Sequence, residues 1–216
     1  MLKEINFWVS SLIPQKIYWH LAGLLHPWQA ILENALSRKE LYLRDDNIVP
    51  LFSKMHLIDK KYTVLDIGCG AGRLENFLAG QFKRCIGIDI APSMIKLAKK
   101  YVGKKNVEFY AGNGKDLKNF DDETFDLVFS MLVFQHLPRK IFLNYLKESY
   151  RVLKNNRKIF FQISISDRKT PEPPKNHPWA LRYYSSDELK QMLKNIGYRN
   201  ISFHSATDQA LITALK

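Results

Sequence analysis

The run Val64-Leu65-Asp66-Ile67-Gly68-Cys69-Gly70-Ala71-Gly72-Arg73 constrains this chain more than any other stretch. A short apolar segment suited to a buried strand feeds directly into three alternating glycines, and a helical pattern follows. Glycine lets the backbone turn tightly and lets a ligand approach it closely, while the N-terminus of the following helix offers unpaired N–H groups. A strand, turn and helix of this kind place a small molecule over the turn. Two phosphate-binding loops do not fit. A dinucleotide loop of the form GxGxxG needs glycine where Arg73 stands. A P-loop needs Ser or Thr after Gly-Lys, yet Gly103-Lys104 and Gly114-Lys115 are followed by Lys105 and Asp116.

From Tyr62 onward strands and helices alternate, which predicts an α/β fold with a mostly parallel sheet and helices on both faces. The strands expected are Tyr62–Ile67, Cys85–Ile90, Val107–Ala111, Phe125–Met131 and Lys158–Ser164. Between them lie helices over Leu74–Ala79, Pro92–Tyr101 and Arg139–Leu153, the last with Phe142, Leu146, Ser149 and Leu153 on one stripe. Thr170–Pro178 holds four prolines in nine residues and reads as a loop. Ser185 and Glu188 have capping-box spacing and open a helix to about Ile196, with Gly197 as its stop. The closely spaced segments Tyr198–Ser205 and Gln209–Leu215 suit an antiparallel hairpin, which brings the sheet to seven strands.

Residues 1–56 differ from the remainder, 57–216. They read as short amphipathic helices carrying Trp8, Trp19 and Trp28, a helical lid over the core or a cavity in preference to a partner subunit or a lipid interface. Pro14, Lys16, His20, His26 and Pro27 break up the apolar run, so no transmembrane segment is expected. The 33 basic against 21 acidic residues give a net charge of +12, a field that draws anionic partners such as nucleic acid, a membrane surface or phosphorylated metabolites. The lysines are spread along the chain and read first as a solvated surface. Cys69 and Cys85 are too few for a disulfide framework and lack CxxC spacing, so a cytoplasmic protein without structural zinc is expected. The histidines and carboxylates have no close metal-ligand spacing, and no catalytic metal is expected.

Asp89 closes the strand Cys85–Ile90, 19 residues beyond Gly70. An acidic residue at that strand tip is placed to accept hydrogen bonds from the two ribose hydroxyls of a nucleoside. The alternative is an N-cap for the helix beginning near Pro92. With these residues together, the chain resembles the class I S-adenosylmethionine-dependent methyltransferases, in particular the small-molecule group labelled type 11, 12 or 25. Their first motif, (D/E)xGxGxG, is satisfied by Asp66, Gly68, Gly70 and Gly72. The resemblance implies a Rossmann-like, doubly wound sheet and S-adenosyl-L-methionine as cofactor. It also implies ribose contact by Asp89 and adenine packing on Ile90 and Met94. Gly112-Asn113-Gly114 stands where the family often has Gly-Asp-Ala, so Asn113 and Gly114 take the adenine-edge position, with Asn113 in place of the usual Asp. Phe125-Asp126-Leu127-Val128-Phe129-Ser130 resembles the family's fourth-strand motif, and Ser130 ends it at the cofactor. A Pro-Gly-Gly turn is replaced by Asn155-Asn156-Arg157, which can survive because Asn tolerates left-handed backbone.

Methyl transfer needs alignment of nucleophile and methyl, with removal of a proton where the nucleophile carries one. His136, just past the fourth strand, is the candidate general base, against a role in capping the next helix or packing beneath the lid. His20, His26, Arg44, Asp45 and Asp46 are weaker candidates, Asp46 equally a helix cap. The acceptor is expected near Val133, His136 and Trp179 as a small organic molecule with an aromatic or apolar part, methylated on O, N or C. The alternatives are an RNA or protein methyltransferase and a non-catalytic cofactor-binding partner subunit. Nucleic acid is admitted by the charge but disfavoured, because no RNA-binding module and no Asn/Asp-Pro-Pro-Tyr signature follow Ser130.

Overall fold

A computed structural model of the chain describes residues 14–27, 30, 37, 42, 47–167, 173, 178–205 and 209–216. In chain order the elements are α1 (Gln15–Leu25), α2 (Ile48–Lys54), β1 (Thr63–Ile67), α3 (Arg73–Leu78), β2 (Arg84–Asp89), α4 (Pro92–Tyr101), β3 (Val107–Ala111) and β4 (Phe125–Ser130). They are followed by α5 (Arg139–Val152), β5 (Leu153–Ile165), β6 (Tyr183–Tyr184), α6 (Ser186–Ile196), β7 (Arg199–Ser205) and β8 (Gln209–Leu215). The sheet runs β3-β2-β1-β4-β5-β8-β7. Its β1–β2, β1–β4, β2–β3 and β4–β5 pairs are parallel and its β5–β8 and β7–β8 pairs antiparallel. This is the doubly wound sheet with a C-terminal hairpin that the alternation predicts.

Side-chain alternation along β4 shows why helices cover both faces. Leu127 and Phe129 pack with Phe52 of α2 and Leu74 and Leu78 of α3, while Val128 packs with Phe142 and Leu146 of α5 and Leu189 and Leu193 of α6. Every residue of β4 is buried, as a strand covered on both sides must be. Phe52 sits edge-on against Phe129 and Phe160, at 5.1 and 5.3 Å between ring centres. Thus α2 is part of the core beneath the sheet. At α6 the hydroxyl of Ser185 accepts from the backbone N–H of Glu188 at 3.1 Å, and Gly197 ends the helix at φ 114°.

Two elements differ from the pattern. β5 begins at Leu153 directly out of α5 and runs 13 residues, with a register shift against β4 between Phe125 and Leu127. Asn156 at φ 60° absorbs the irregularity, and the chain end holds it, since Lys216 exchanges backbone hydrogen bonds with Asn156 and Arg157. β6 is a two-residue addition parallel to Ser164 and Ile165, too short to announce itself by periodicity.

Asp126, read as part of the fourth-strand motif, lies at the end of β4 away from the glycine turn. Its buried carboxylate accepts from the backbone N–H of Thr63 at 3.0 Å and from Lys154 at 3.0 Å, with Arg157 3.2 Å away. It therefore ties the starts of β1 and β5 to β4. Both cations are partly solvated, which reduces the worth of the ion pairs. Asp126→Ala leaves a buried backbone donor unmade and is expected to cost about 2 kcal/mol, lowering the melting temperature by about 4–8 °C in thermal unfolding. A shift within 1 °C of zero, by the same measurement, would contradict the clamp.

Candidate cofactor and acceptor site

The carboxyl ends of β1, β2 and β4 meet where the strand order reverses, the place at which an open α/β sheet leaves a crevice. A cavity of ≈ 420 Å³ opens there. Its floor is the turn after β1. Gly68, Gly70 and Gly72 take φ of 85°, 55° and 79°. A Cβ at Gly68 would fall 2.3 Å from a methyl of Val133, and one at Gly72 2.7 Å from the Phe109 ring. Glycine is therefore required at both positions for backbone angle and for space. The N–H groups of Gly68 and Cys69 donate to the Ile88 carbonyl at 2.7 and 3.1 Å, so the end of β2 supports the turn.

Asp89 completes that support. One carboxylate oxygen accepts from Gly70 N–H at 3.0 Å and the other from Ala91 N–H at 2.8 Å. The N-cap of α4 is Ala91, so the cap alternative for Asp89 gives way to a staple between two turns. Burial pushes the Asp89 carboxyl up and the two backbone donors pull it back. A carboxylate has about four lone-pair positions, so an Asp89 that lines the cavity keeps acceptors for a ligand's hydroxyls.

Gly68, Gly70, Asp66, Asp89, Ile90, Met94 and Gly114 all line this cavity, as does His136. Ile90 lies over Gly114, where a Cβ would meet its terminal methyl at 2.3 Å, and these two line the cavity with Gly112. Gly72, Asn113 and Ser130 are not among the described lining residues. Gly72 caps α3 behind the turn, and the Ser130 hydroxyl donates to the Ile67 carbonyl at 2.8 Å, joining the ends of β4 and β1. The Asn113 side chain closes its own loop instead. Its oxygen accepts from the N–H groups of Lys115 and Asp116 at 2.7 and 3.0 Å, and its amide donates to Asp116 at 2.8 Å. It faces a smaller neighbouring hollow of ≈ 270 Å³ with Lys16 and Asn119.

The far end of the cavity is built by residues distant in sequence. Trp19 of α1 packs edge-on against Trp179 at 4.9 Å, and Trp179 donates its indole N–H to the Tyr18 hydroxyl. Met131, Leu132, Val133, Leu137 and Tyr145 complete an apolar wall, with Gln15, Gln135 and His136 as its polar groups. The His136 Nδ1 lies 3.4 Å from the Ala180 carbonyl, an acceptor only, and the ring tautomer that donates to it has its lone pair on Nε2. The Gln135 amide approaches that Nε2 at 3.5 Å. Arg182, 1% exposed, grips this segment, donating its backbone N–H to Gln135 and its guanidinium to the His136 carbonyl, each at 2.8 Å. Gln15 donates to the same carbonyl at 3.3 Å.

Sequence reasoning did not reach Gln15, Arg182 or Tyr145. The phenol of Tyr145, pushed up by burial, interrupts the apolar stripe of α5, and that was its available signal. His20 is not among the described lining residues. Its Nδ1 accepts from Ser93 N–H at 3.3 Å and its carbonyl from the Ser93 hydroxyl at 2.8 Å, so it caps α4 and docks α1 there. His26 is exposed and also outside the lining, while Trp8, Trp28, Arg44, Asp45 and Asp46 lie outside the described residues. No group of His, Cys, Asp and Glu among the described residues could hold a metal ion.

Under the glycine turn lies a buried ionic cluster of Asp66, Arg73 and Glu75. Burial is the largest cause raising the Asp66 carboxyl, with Glu75 next to it adding to the rise, and burial raises Glu75 to about 7. Asp66 and Arg73 of this cluster line the cavity wall.

The comparisons with known proteins agree with this geometry. Residues 65–161 match the family described as a methyltransferase domain. An uncharacterised protein of Methanocaldococcus jannaschii is 32% identical over 145 residues, 63% of this chain and 64% of its own length. Phosphoethanolamine N-methyltransferase 3 of Arabidopsis thaliana is 30% identical over 152 residues, 68% of this chain but 30% of its own. The chain thus spans less than two thirds of the length of these relatives. A solved methyltransferase of Aquifex aeolicus, described as dependent on S-adenosylmethionine, shares the fold with a TM-score of 0.63 at 23% identity, over 88% of this chain and 98% of that one. Residues 65–161 thus match a methyltransferase domain, and the fold with its glycine turn is the one class I methyltransferases share.

Two outcomes test the site. Asp89→Ala removes charge-assisted hydrogen bonds worth roughly 1.5–3 kcal/mol each, so S-adenosylhomocysteine should bind at least about tenfold more weakly by calorimetry, with the circular dichroism spectrum retained. Equal affinity would place the ribose elsewhere. Glu75 ionises near 4.5 in the unfolded chain and at about 7 in the fold, so stability present below pH 4.5 is lost as pH rises toward 7. Melting temperatures across that window should fall less for Glu75→Gln than for the wild type, whereas parallel curves would remove Glu75 from the account.

Proposed function

We propose that this chain methylates an O, N or C nucleophile of a small, largely apolar organic molecule, with S-adenosyl-L-methionine as methyl donor. The observation that carries the reading is the two-ended cavity. One end is the glycine turn with Asp89, and the other is the apolar wall of Trp19, Trp179, Val133 and Leu137 around His136. When bound, the cofactor supplies an electrophilic methyl group on a sulfonium. The residues to hold it are Gly68, Gly70 and Asp89 at the ribose, Ile90, Met94 and Gly114 at the base, and Asp66 with Arg73 toward the amino acid end. Asn113, Gly72 and Ser130 support these from outside the cavity lining.

The apolar wall excludes water and orients the acceptor beside the glycine turn. His136, protonated on Nδ1, offers the Nε2 lone pair as the proton acceptor for an O–H or N–H nucleophile. Arg182 positions that ring through the His136 carbonyl. Among the described lining residues Arg73 is the one Arg or Lys, and it lies by the glycine turn. Among the described residues the acceptor end therefore offers no cation for a phosphate, which separates this reading from the phosphoethanolamine named for the Arabidopsis relative. It also disfavours RNA despite the net charge.

The test incubates the purified chain with methyl-labelled S-adenosylmethionine and, separately, apolar metabolite extract, RNA and protein. Label in organic-soluble metabolites supports the reading, and label in RNA or protein alone overturns it. No label in any of them, with cofactor bound, favours the non-catalytic partner subunit. With an acceptor in hand, His136→Gln should lower kcat by about 10²–10⁴ with little change in cofactor affinity. An unchanged kcat would leave His136 a packing residue.

A further inference from the structure

Helix α1 has two working faces. Gln15 and Trp19 line the cavity, and Gly23 and His20 rest on Ser93 at the start of α4. At 100° per residue Ile17, Leu21, Leu24 and Leu25 fall on the opposite arc. They are 49, 43, 60 and 69% exposed. The apolar exposure continues at the cavity mouth, where Leu132 and Trp179, both lining residues, are 42 and 41% exposed.

The charges on α1 and on α4, the helix it packs against, are of one sign. Lys96, Lys99 and Lys100 are exposed on α4, against which α1 packs, while Lys16 of α1 lines the hollow beside Asn113. Neither helix contains an acidic residue. An aliphatic stripe on one helix, with exposed lysines on the helix packed against it, matches a surface lying in the headgroup region of an anionic bilayer. Nucleic acid would answer the lysines but leave four aliphatic side chains without a partner. A second copy of the chain would bring lysines against lysines.

We propose that the outer face of α1 docks on an anionic lipid surface, with the cavity mouth beside the bilayer so that an apolar acceptor enters from it. The entry route rests on the methyl-transfer reading, whereas the docking does not.

The experiment is co-sedimentation of the full chain with vesicles of mixed phosphatidylglycerol and phosphatidylcholine, and with phosphatidylcholine alone, alongside thermal shift by S-adenosylhomocysteine. The chain should pellet with the anionic vesicles, less so in about 0.5 M salt. Leu24→Ser/Leu25→Ser should weaken that partitioning by about tenfold or more, leaving the thermal shift as in the wild type. A chain that stays in the supernatant at about 1 mM anionic lipid overturns the docking. So does a double variant that pellets like the wild type, or a dimer in sedimentation equilibrium that the double variant abolishes. Absent vesicle binding with a retained thermal shift defeats the docking alone; vesicle binding without a thermal shift defeats the cofactor reading alone.

Discussion

Asp89 is held between the N–H groups of Gly70 and Ala91, and that pair of hydrogen bonds joins the turn after β1 to the turn after β2. The parallel register that sets Ile67 beside Ile88 delivers the two strand ends together, and the Ile88 carbonyl then takes up Gly68 and Cys69. Only with this frame in place do Gly68 and Gly72 occupy the left-handed angles and close approaches that exclude any side chain. The cofactor end of the cavity is therefore made of backbone, positioned by one carboxylate.

The acceptor end is constructed on other principles. Residues 178–184 reach the sheet edge as β6, and Arg182 and Arg139 fasten them. Arg139 donates to the Tyr183 carbonyl at 2.7 Å and stacks over the Tyr184 ring at 4.3 Å. This strap sets Trp179 against Trp19 and Ala180 against His136. Its hydrogen bonds are spent on Gln135, His136, Arg139 and Ser166, so what it shows the cavity is mainly apolar. That division between a polar, backbone-built end and an apolar, side-chain-built end underlies the proposed chemistry.

Most of the fold was legible because its signals are local. The glycine turn, Pro92 at the start of α4, the Ser185–Glu188 cap and the buried run of β4 each lie within a few residues of the structure they specify. Asp89 was legible for the same reason, as the tip of a strand at fixed spacing from the turn. The rest depends on contacts far apart in sequence. Gln15 meets His136 across 121 positions and Arg182 meets it across 46, distances over which periodicity and spacing carry nothing. Asn113 was read from its place in a motif, yet the competing Asx-type hydrogen bonds to Lys115 and Asp116 take its side chain, a local preference that a motif match overlooks.

The central claim, that the cavity over the glycine turn is an S-adenosyl site, is tested most directly by thermal unfolding with S-adenosylmethionine, S-adenosylhomocysteine and NAD in parallel. A ligand at about 100 times its dissociation constant stabilises by roughly 2.7 kcal/mol, about 5–10 °C for a chain of this size. The account predicts that rise with the two adenosyl sulfur ligands and none with NAD. No rise with either, or an equal rise with NAD, would contradict it.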